Sequence, residues 1–148
     1  MAAEISAIES DIDALSGASD TTGERLFRPY AGGGVLGTHV FSPAAVDYLQ
    51  QHRYTCVLWN VLPHDWDDPT GWVDTGFEQT AGTDWSVVVL HDIDTGAMRR
   101  LPEFLDGLDA QGAEFVTEFP GSCVPIKQGR PQWSMAHLTS SPDHRRRS

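Results

Sequence analysis

The feature that most constrains the fold is an uninterrupted apolar run, Thr55 to Leu62, with the sequence TCVLWNVL. Its residues are β-branched or aromatic and apolar on both faces, which is typical of a central strand in a parallel sheet. Such a strand needs cover on both sides, so the rest of the chain must supply helices. Shorter apolar runs predict three further strands: Leu26–Arg28, Ser86–Leu90 and Ala113–Glu118.

Helical periodicity occurs between these runs. Ile5, Ile8, Ile12 and Leu15 predict an amphipathic helix that ends before Gly17, and Ser42-Pro43 predicts the start of a second helix that runs to about His52. Two more helices are predicted, a weak one over Val73–Thr80 and a stronger one over Gly96–Ala110. Strands that alternate with helices predict an α/β fold with parallel units and right-handed crossovers.

Length and charge narrow the possible partners. The 148 residues suit one domain or part of one. The net charge of −11 repels phosphate backbones and anionic bilayers, so we expect neither nucleic acid nor membrane as a partner. The two cysteines, Cys56 and Cys123, suggest neither a disulfide framework nor a cysteine zinc site. With no signal-peptide pattern and no membrane span, the chain as written is predicted to be cytoplasmic.

The C-terminal part lacks a periodic pattern. Apolar periodicity stops at Pro120, and the chain ends in SSPDHRRRS. We therefore interpret residues 1–118 as the folded portion and residues 119–148 as a C-terminal extension. About the last fifteen residues are predicted to be disordered, as is common for polar termini.

Polar side chains follow three successive predicted strands. Arg28 ends the first, Asp65 and Trp66 follow the second after a short loop, and His91 follows the third. Each residue alone has an ordinary structural explanation, such as a surface ion pair or a turn. Because functional groups collect at the carboxyl ends of parallel strands, the four together predict a site at one edge of the sheet.

These same residues resemble motifs of the polysaccharide deacetylases, the carbohydrate-esterase family with the nodulation-deacetylase homology domain. Phe27-Arg28-Pro29-Tyr30 before a glycine run resembles the third family motif, and Trp59 through Asp65-Trp66 resembles the fourth. Val87–Asp92, followed by Leu101-Pro102 and residues 112–116, resembles the fifth motif and the closing helix and strand. The resemblance covers roughly Ile5 to Thr117, the C-terminal half of the family domain.

The resemblance implies a partial, distorted (β/α) barrel and a role for each matched residue. His91 would be the general acid, Arg28 would hold a catalytic aspartate, and Asp65 would orient Arg28. Trp66 would line a sugar pocket, with Tyr30, Val89 and Leu90 as further substrate-binding residues. Val89 stands where the family usually has leucine, and Tyr30 stands where many members have proline, so the preferred acyl group is left open.

The first two family motifs do not occur in this sequence. They would supply the catalytic base and the ligands of a divalent metal, zinc or a similar ion, which the intact family domain uses to hydrolyse acetamide C–N bonds. No metal ligand is therefore predicted on this chain, and we expect little or no activity from it alone. Its substrate, once the domain is complete, would be a carbohydrate or a small amide.

Three alternatives stay open at this point. The chain is half of a split or truncated deacetylase that needs its N-terminal half, a non-catalytic carbohydrate-binding module that uses Trp66 and Trp72, or an assembly subunit that completes a barrel by self-association. A half barrel leaves strand edges open and apolar faces bare, which favours a partner in each case.

Overall fold

A computed structural model describes residues 23–141. The predicted helix over Ile5–Leu15 lies outside the described residues. The described part is α/β, built on a four-stranded sheet in the order β1-β2-β3-β4. The strands are short: β1 Arg25–Phe27, β2 Tyr54–Cys56, β3 Ile126–Lys127 and β4 Arg130–Pro131. β1 pairs in parallel with β2, and β3 pairs antiparallel with both β2 and β4, so the sheet is mixed and open. The (β/α) barrel therefore stays a prediction.

Helix α1, Pro43–Gln51, connects the two parallel strands. It begins as predicted, because the Ser42 hydroxyl accepts a hydrogen bond from the Ala45 N–H and Pro43 occupies the first turn. Its buried residue, Leu49, packs onto Tyr54 and Cys56 of β2. This contact forms the main apolar core, which also includes Phe41, Leu58, Ile126 and Leu138.

The central apolar run is a regular strand for only part of its length. Beyond Cys56 the chain stays buried as far as Trp59, and strand pairing resumes as a single parallel bridge between Val61 and Val88. Here the side chain of Asn60 adds to the backbone hydrogen bonds that residues 60 and 61 donate to the Val87 carbonyl, since its Oδ1 accepts from the Val87 N–H at 2.7 Å and its Nδ2 donates to the Trp85 carbonyl at 2.9 Å. The predicted strand over Ser86–Leu90 is accordingly reduced to this bridge.

The two remaining helices pack against each other. They are α2, Trp72–Ala81, and α3, Leu101–Ala110, the latter preceded by a 3₁₀ turn over Ala97–Arg100. Both correspond to predicted helices, and Pro102 in the first turn of α3 explains why the regular helix begins later than predicted. Trp72, Val73 and Phe104 form their shared core. Among residues 23–141, no helix has the length and apolarity needed to cross a bilayer.

The C-terminal part differs most from expectation. Residues 113–118, predicted to be a strand, are exposed and irregular, and Phe115 is 58% exposed. Residues 134–141 fall within the predicted tail; among them Leu138 is fully buried, and Thr139 pairs with Phe41 in a parallel bridge. The β3–β4 hairpin also pairs with β2, so the predicted boundary at residue 118 does not divide the described fold.

Candidate functional site

A tight turn after the central run buries Asp65. His64 adopts a left-handed conformation with φ of 61°, and its carbonyl accepts hydrogen bonds from the N–H groups of Asp67 and Asp68. The turn directs Asp65 inward, where it is fully buried. A buried carboxylate needs partners to replace its hydration, so this residue must be hydrogen-bonded.

Both partners of Asp65 come from His91. Oδ2 of Asp65 accepts the His91 backbone N–H at 2.8 Å, and Oδ1 lies 3.0 Å from Nδ1 of the imidazole. The Val61–Val88 bridge explains why Asp65 and His91 lie close together, because it aligns the two segments that lead to these residues. The His91 side chain is 28% exposed, so the ring lies between a buried carboxylate and solvent.

This geometry fixes the chemical role of the imidazole. A carboxylate oxygen only accepts, so Nδ1 is the ring nitrogen that donates in this contact. No hydrogen bond to Nε2 is formed by the described residues. Trp66 contacts the ring edge to face, with centroids 4.9 Å apart, and restricts its movement. The arrangement suits a general acid or base.

Arg28 does not contact Asp65, contrary to the prediction that Asp65 orients it. Both oxygens of Asp65 are occupied by His91, whereas the exposed Arg28 guanidinium lies over the Trp59 ring, 6.0 Å from its centroid. Asp65 therefore orients His91 instead. Trp59 begins the segment that resembles the fourth family motif; its indole Nε1 donates to the Gly34 carbonyl at 3.0 Å and so anchors the glycine run.

Several predicted residues do meet at a narrow cleft of about 30 Å³. Its lining includes Arg28, Tyr30, Trp59, Leu62, Val89 and His91. Tyr30 is 86% exposed and Val89 is buried, so the cleft has one exposed aromatic wall and one buried apolar wall. Leu90 instead lines a larger neighbouring cavity of about 390 Å³, together with Leu26 and Phe119.

Trp72 belongs to the core and not to the site. It is fully buried, and its Nε1 donates to the Ala97 carbonyl at 3.0 Å. The idea that Trp72 offers a stacking surface for sugar is therefore wrong. Trp66 is half-buried between His64 and His91, so part of its ring can still stack against a sugar.

Asp68 holds the loop that connects the Asp65 turn to α2. Its Oδ1 accepts from the Gly71 N–H at 2.8 Å and from both the N–H and the hydroxyl of Thr70. The Gly71 N–H, followed by the Thr70 hydroxyl, lowers the pKa of Asp68, because these bonds favour the ionised carboxylate. The Asp68 carboxylate therefore serves to hold the backbone of this loop.

The residues between 23 and 141 contain no group of three His, Cys, Asp or Glu side chains arranged to hold a metal ion. Asp65 and His91 bind each other, and Asp68 binds backbone N–H groups. The divalent metal that the resemblance implies thus has no matching ligand set in this part of the chain.

No protein-family model matches the sequence, and neither a curated protein nor a solved structure matches it. The geometry of Asp65 and His91, with the cleft beside it, is therefore the basis for the functional interpretation.

Proposed function

We propose that this chain contributes the proton-transfer half of an amide hydrolase site related to that of the polysaccharide deacetylases, with His91 as general acid and Asp65 as its positioning residue. The observation that carries the proposal is the double hydrogen bond from His91 to the buried Asp65. It holds the imidazole at the cleft in one tautomer, which is the arrangement that proton donation to a leaving group requires.

The chemistry explains why a histidine suits this position. Hydrolysis of an acetamide expels an amine, which is a poor leaving group unless it is protonated as the C–N bond breaks. A histidine donates and regains a proton near neutral pH, and the Asp65 carboxylate stabilises the imidazolium during that exchange. Nε2 of His91 is the atom that would deliver the proton.

We infer a carbohydrate or a small amide as substrate from the groups around His91. Tyr30 and Trp66 provide aromatic surfaces on which a sugar ring can stack, and Arg28 provides hydrogen-bond donors for hydroxyl or carbonyl oxygens. Val89 is the buried apolar group beside His91 and would contact the acyl methyl.

The intact family uses a divalent metal, zinc or a similar ion, to activate water. The described residues do not provide its ligands, so we propose that the ligands and the catalytic base come from a separate N-terminal half or from another chain. On its own, the described part would bind substrate without hydrolysing it.

Binding is the first test. An oligosaccharide of N-acetylglucosamine is titrated into the labelled chain, and the imidazole of His91 and the indole of Trp66 are followed by NMR. We expect saturable shifts at both rings, reduced at least about tenfold in affinity by Trp66→Ala. The matched control, Trp85→Ala, removes an exposed tryptophan that neither lines the cleft nor contacts the His91 ring, whereas Trp66 contacts that ring. No shift at either ring would contradict the proposal.

Complementation is the second test. The chain is mixed with the N-terminal half of an intact polysaccharide deacetylase and zinc, and acetate release is measured. Activity that disappears in His91→Gln and Asp65→Asn but persists in His52→Gln is expected. Binding without any acetate release from a correctly associated pair would favour a non-catalytic carbohydrate-binding module.

One observation favours a second candidate, an assembly subunit. β1 is an edge strand of the described sheet, and its residue Leu26 is 55% exposed beside the cavity that Phe119 also lines. Open edges and bare apolar surface favour association. Sedimentation velocity tests this candidate: a concentration-dependent dimer that Leu26→Lys abolishes would support self-association, and a monomer at all concentrations would exclude it.

A further inference from the structure

A basic cavity of about 600 Å³ lies at the opposite end of β2 from Asp65 and His91. It forms where the end of α1 meets the β3–β4 hairpin. Three cationic side chains line it, Arg53, Lys127 and Arg130, together with the amides of Gln50, Gln128 and Gln132. No acidic residue of the described chain is among its lining residues. Three of the ten Lys and Arg residues of a chain with net charge −11 are thus gathered at one place.

The cations are not neutralised by neighbours. Residues 23–141 provide no ion pair and no hydrogen bond to the charged group of Arg53, Lys127 or Arg130; the Gln132 amide donates only to the backbone carbonyl of Arg130, at 3.0 Å. Lys127 and Arg130 are also direct cross-strand partners in the hairpin. Like charges at directly opposed positions destabilise a hairpin, so this pair lowers the stability of the fold unless an anion lies between them.

Backbone conformation fixes the positions of these groups. Gln128 and Gly129 both have positive φ, 49° and 79°, as a two-residue hairpin turn of this hand requires. Arg53 follows the end of α1 with φ of 59°, at a position where glycine would avoid strain. An arginine retained in a left-handed conformation suggests that its side chain is used.

The hairpin turn is held against the start of β2 by two hydrogen bonds. The Gly129 N–H donates to the Tyr54 carbonyl at 2.9 Å, and the Gln128 N–H donates to the Thr55 hydroxyl at 2.9 Å. That hydroxyl donates in turn to Glu24, so the one carboxylate reached by this network is already engaged. A side chain at Gly129 would collide with the Gln50 carbonyl, which shows how closely the turn approaches the helix.

We propose that this cavity binds a phosphate group, either free phosphate or a phosphate monoester. A phosphate carries nearly two negative charges and three acceptor oxygens, which matches two guanidinium forks, one ammonium and flanking amides. The net charge of −11 opposes long polyanions, so the site takes a small ligand and not a nucleic acid.

Site-resolved titration tests the proposal. Inorganic phosphate is added at constant ionic strength, and the amide resonances of Arg53, Gln128 and Gly129 are followed. We expect saturable shifts confined to this cavity, with affinity weakened about tenfold by Arg130→Gln, since each charge-assisted hydrogen bond contributes 1.5–3 kcal/mol or about a factor of ten or more. Arg99→Gln is the matched control, because Arg99 is exposed and does not line the cavity.

A second variant separates binding from folding. Arg53→Gly removes a cation and relieves the left-handed strain, so we expect unchanged or higher stability together with weaker phosphate binding. A purely structural role for Arg53 predicts the reverse. Titration with phosphoserine identifies the source of the phosphate: tighter binding than inorganic phosphate assigns the site to a monoester, and equal binding assigns it to free phosphate.

Three results would overturn the proposal. Equal shifts with chloride at matched ionic strength would reveal only general screening. Wild-type affinity in both Arg53→Gly and Arg130→Gln would exclude these cations as ligands. An equal loss of affinity in Arg99→Gln would show that overall charge, and not this cavity, controls binding.

Discussion

Asp65 holds His91 through both of its carboxylate oxygens, one on the backbone N–H at 2.8 Å and the other on the ring Nδ1 at 3.0 Å. Main chain and side chain of the histidine are therefore positioned by the same buried group. Two residues 26 positions apart act as one structural unit, and the predictions below begin from that unit.

Replacing Asp65 with alanine should change the tautomer of His91. In the wild-type protein, long-range ¹H–¹⁵N spectra should show a proton on Nδ1, and in Asp65→Ala the proton should shift toward Nε2. The variant should also lose about 1–3 kcal/mol of stability, because the His91 N–H loses its partner. His39, whose Nε2 lies 3.2 Å from the Ala31 carbonyl, should be unchanged in both proteins. An unchanged His91 spectrum would contradict the assigned hydrogen bond.

Gly76 on α2 allows close packing against Phe104 of α3. A Cβ at this position would lie 2.8 Å from Cε2 of the Phe104 ring, which is almost fully buried. Gly76→Ala should therefore destabilise the protein by about 1–2 kcal/mol in urea unfolding, even though alanine favours helices. Gly121→Ala, where nothing lies within 4 Å, should change stability by less than about 0.5 kcal/mol. Equal effects would show that α2 and α3 are not packed this closely.

The Cys56 thiol should make stability fall in alkali. Burial raises its pKa from 9.0 to about 12, because the thiolate is poorly solvated in the core. The folded state thus keeps the proton that the unfolded chain loses, so the contribution of this thiol to stability is constant below pH 9 and decreases between pH 9 and 12. The slope should approach about 1.4 kcal/mol per pH unit in unfolding curves. Cys56→Ala should show a shallower slope, and the same slope in both proteins would refute this origin.

Leu138 tests whether the C-terminal part belongs to the core. It is fully buried with Phe41 and Leu49, so Leu138→Ala should cost about 2–4 kcal/mol. Val116→Ala removes a side chain that is 48% exposed and should cost less than about 0.5 kcal/mol. If both substitutions were equally mild in thermal unfolding, residues near 138 would not be packed as described.

Local sequence signals predicted the helices well. Ser42-Pro43 marks the start of α1, and the apolar spacing around Leu101 and Leu108 marks α3. Both signals act over one or two helical turns, so they are readable without knowledge of the rest of the chain.

Strand extent could not be predicted in the same way. Whether Leu58 to Leu62 forms a regular strand depends on which segment lies beside it, and here the neighbouring residues 85–89 pair with it only through one bridge and the Asn60 side chain. The burial of Leu138 similarly depends on Phe41, about 100 residues away in sequence. Such long-range contacts produce no periodic pattern in the sequence, so they cannot be predicted from it.

The sequence grouped the candidate residues but did not predict which of them hydrogen-bond to each other. Arg28, Asp65 and His91 follow strand-like segments, and order along the chain was enough to group them. The partner of Asp65 depends on the direction in which the His64 turn points the carboxylate, and φ at His64 cannot be read from sequence.

The two hydrogen bonds between Asp65 and His91 close a loop that contains the whole of α2. Local unfolding of the helical subdomain formed by α2 and α3 would release this loop and separate the pair, so under the proposed function His91 would act only while that subdomain is folded. Amide hydrogen exchange at His91 should therefore proceed at the same opening free energy as the core of α2. Catalytic competence would then be a cooperative property of the helical subdomain, set by its opening equilibrium and not by the two side chains alone.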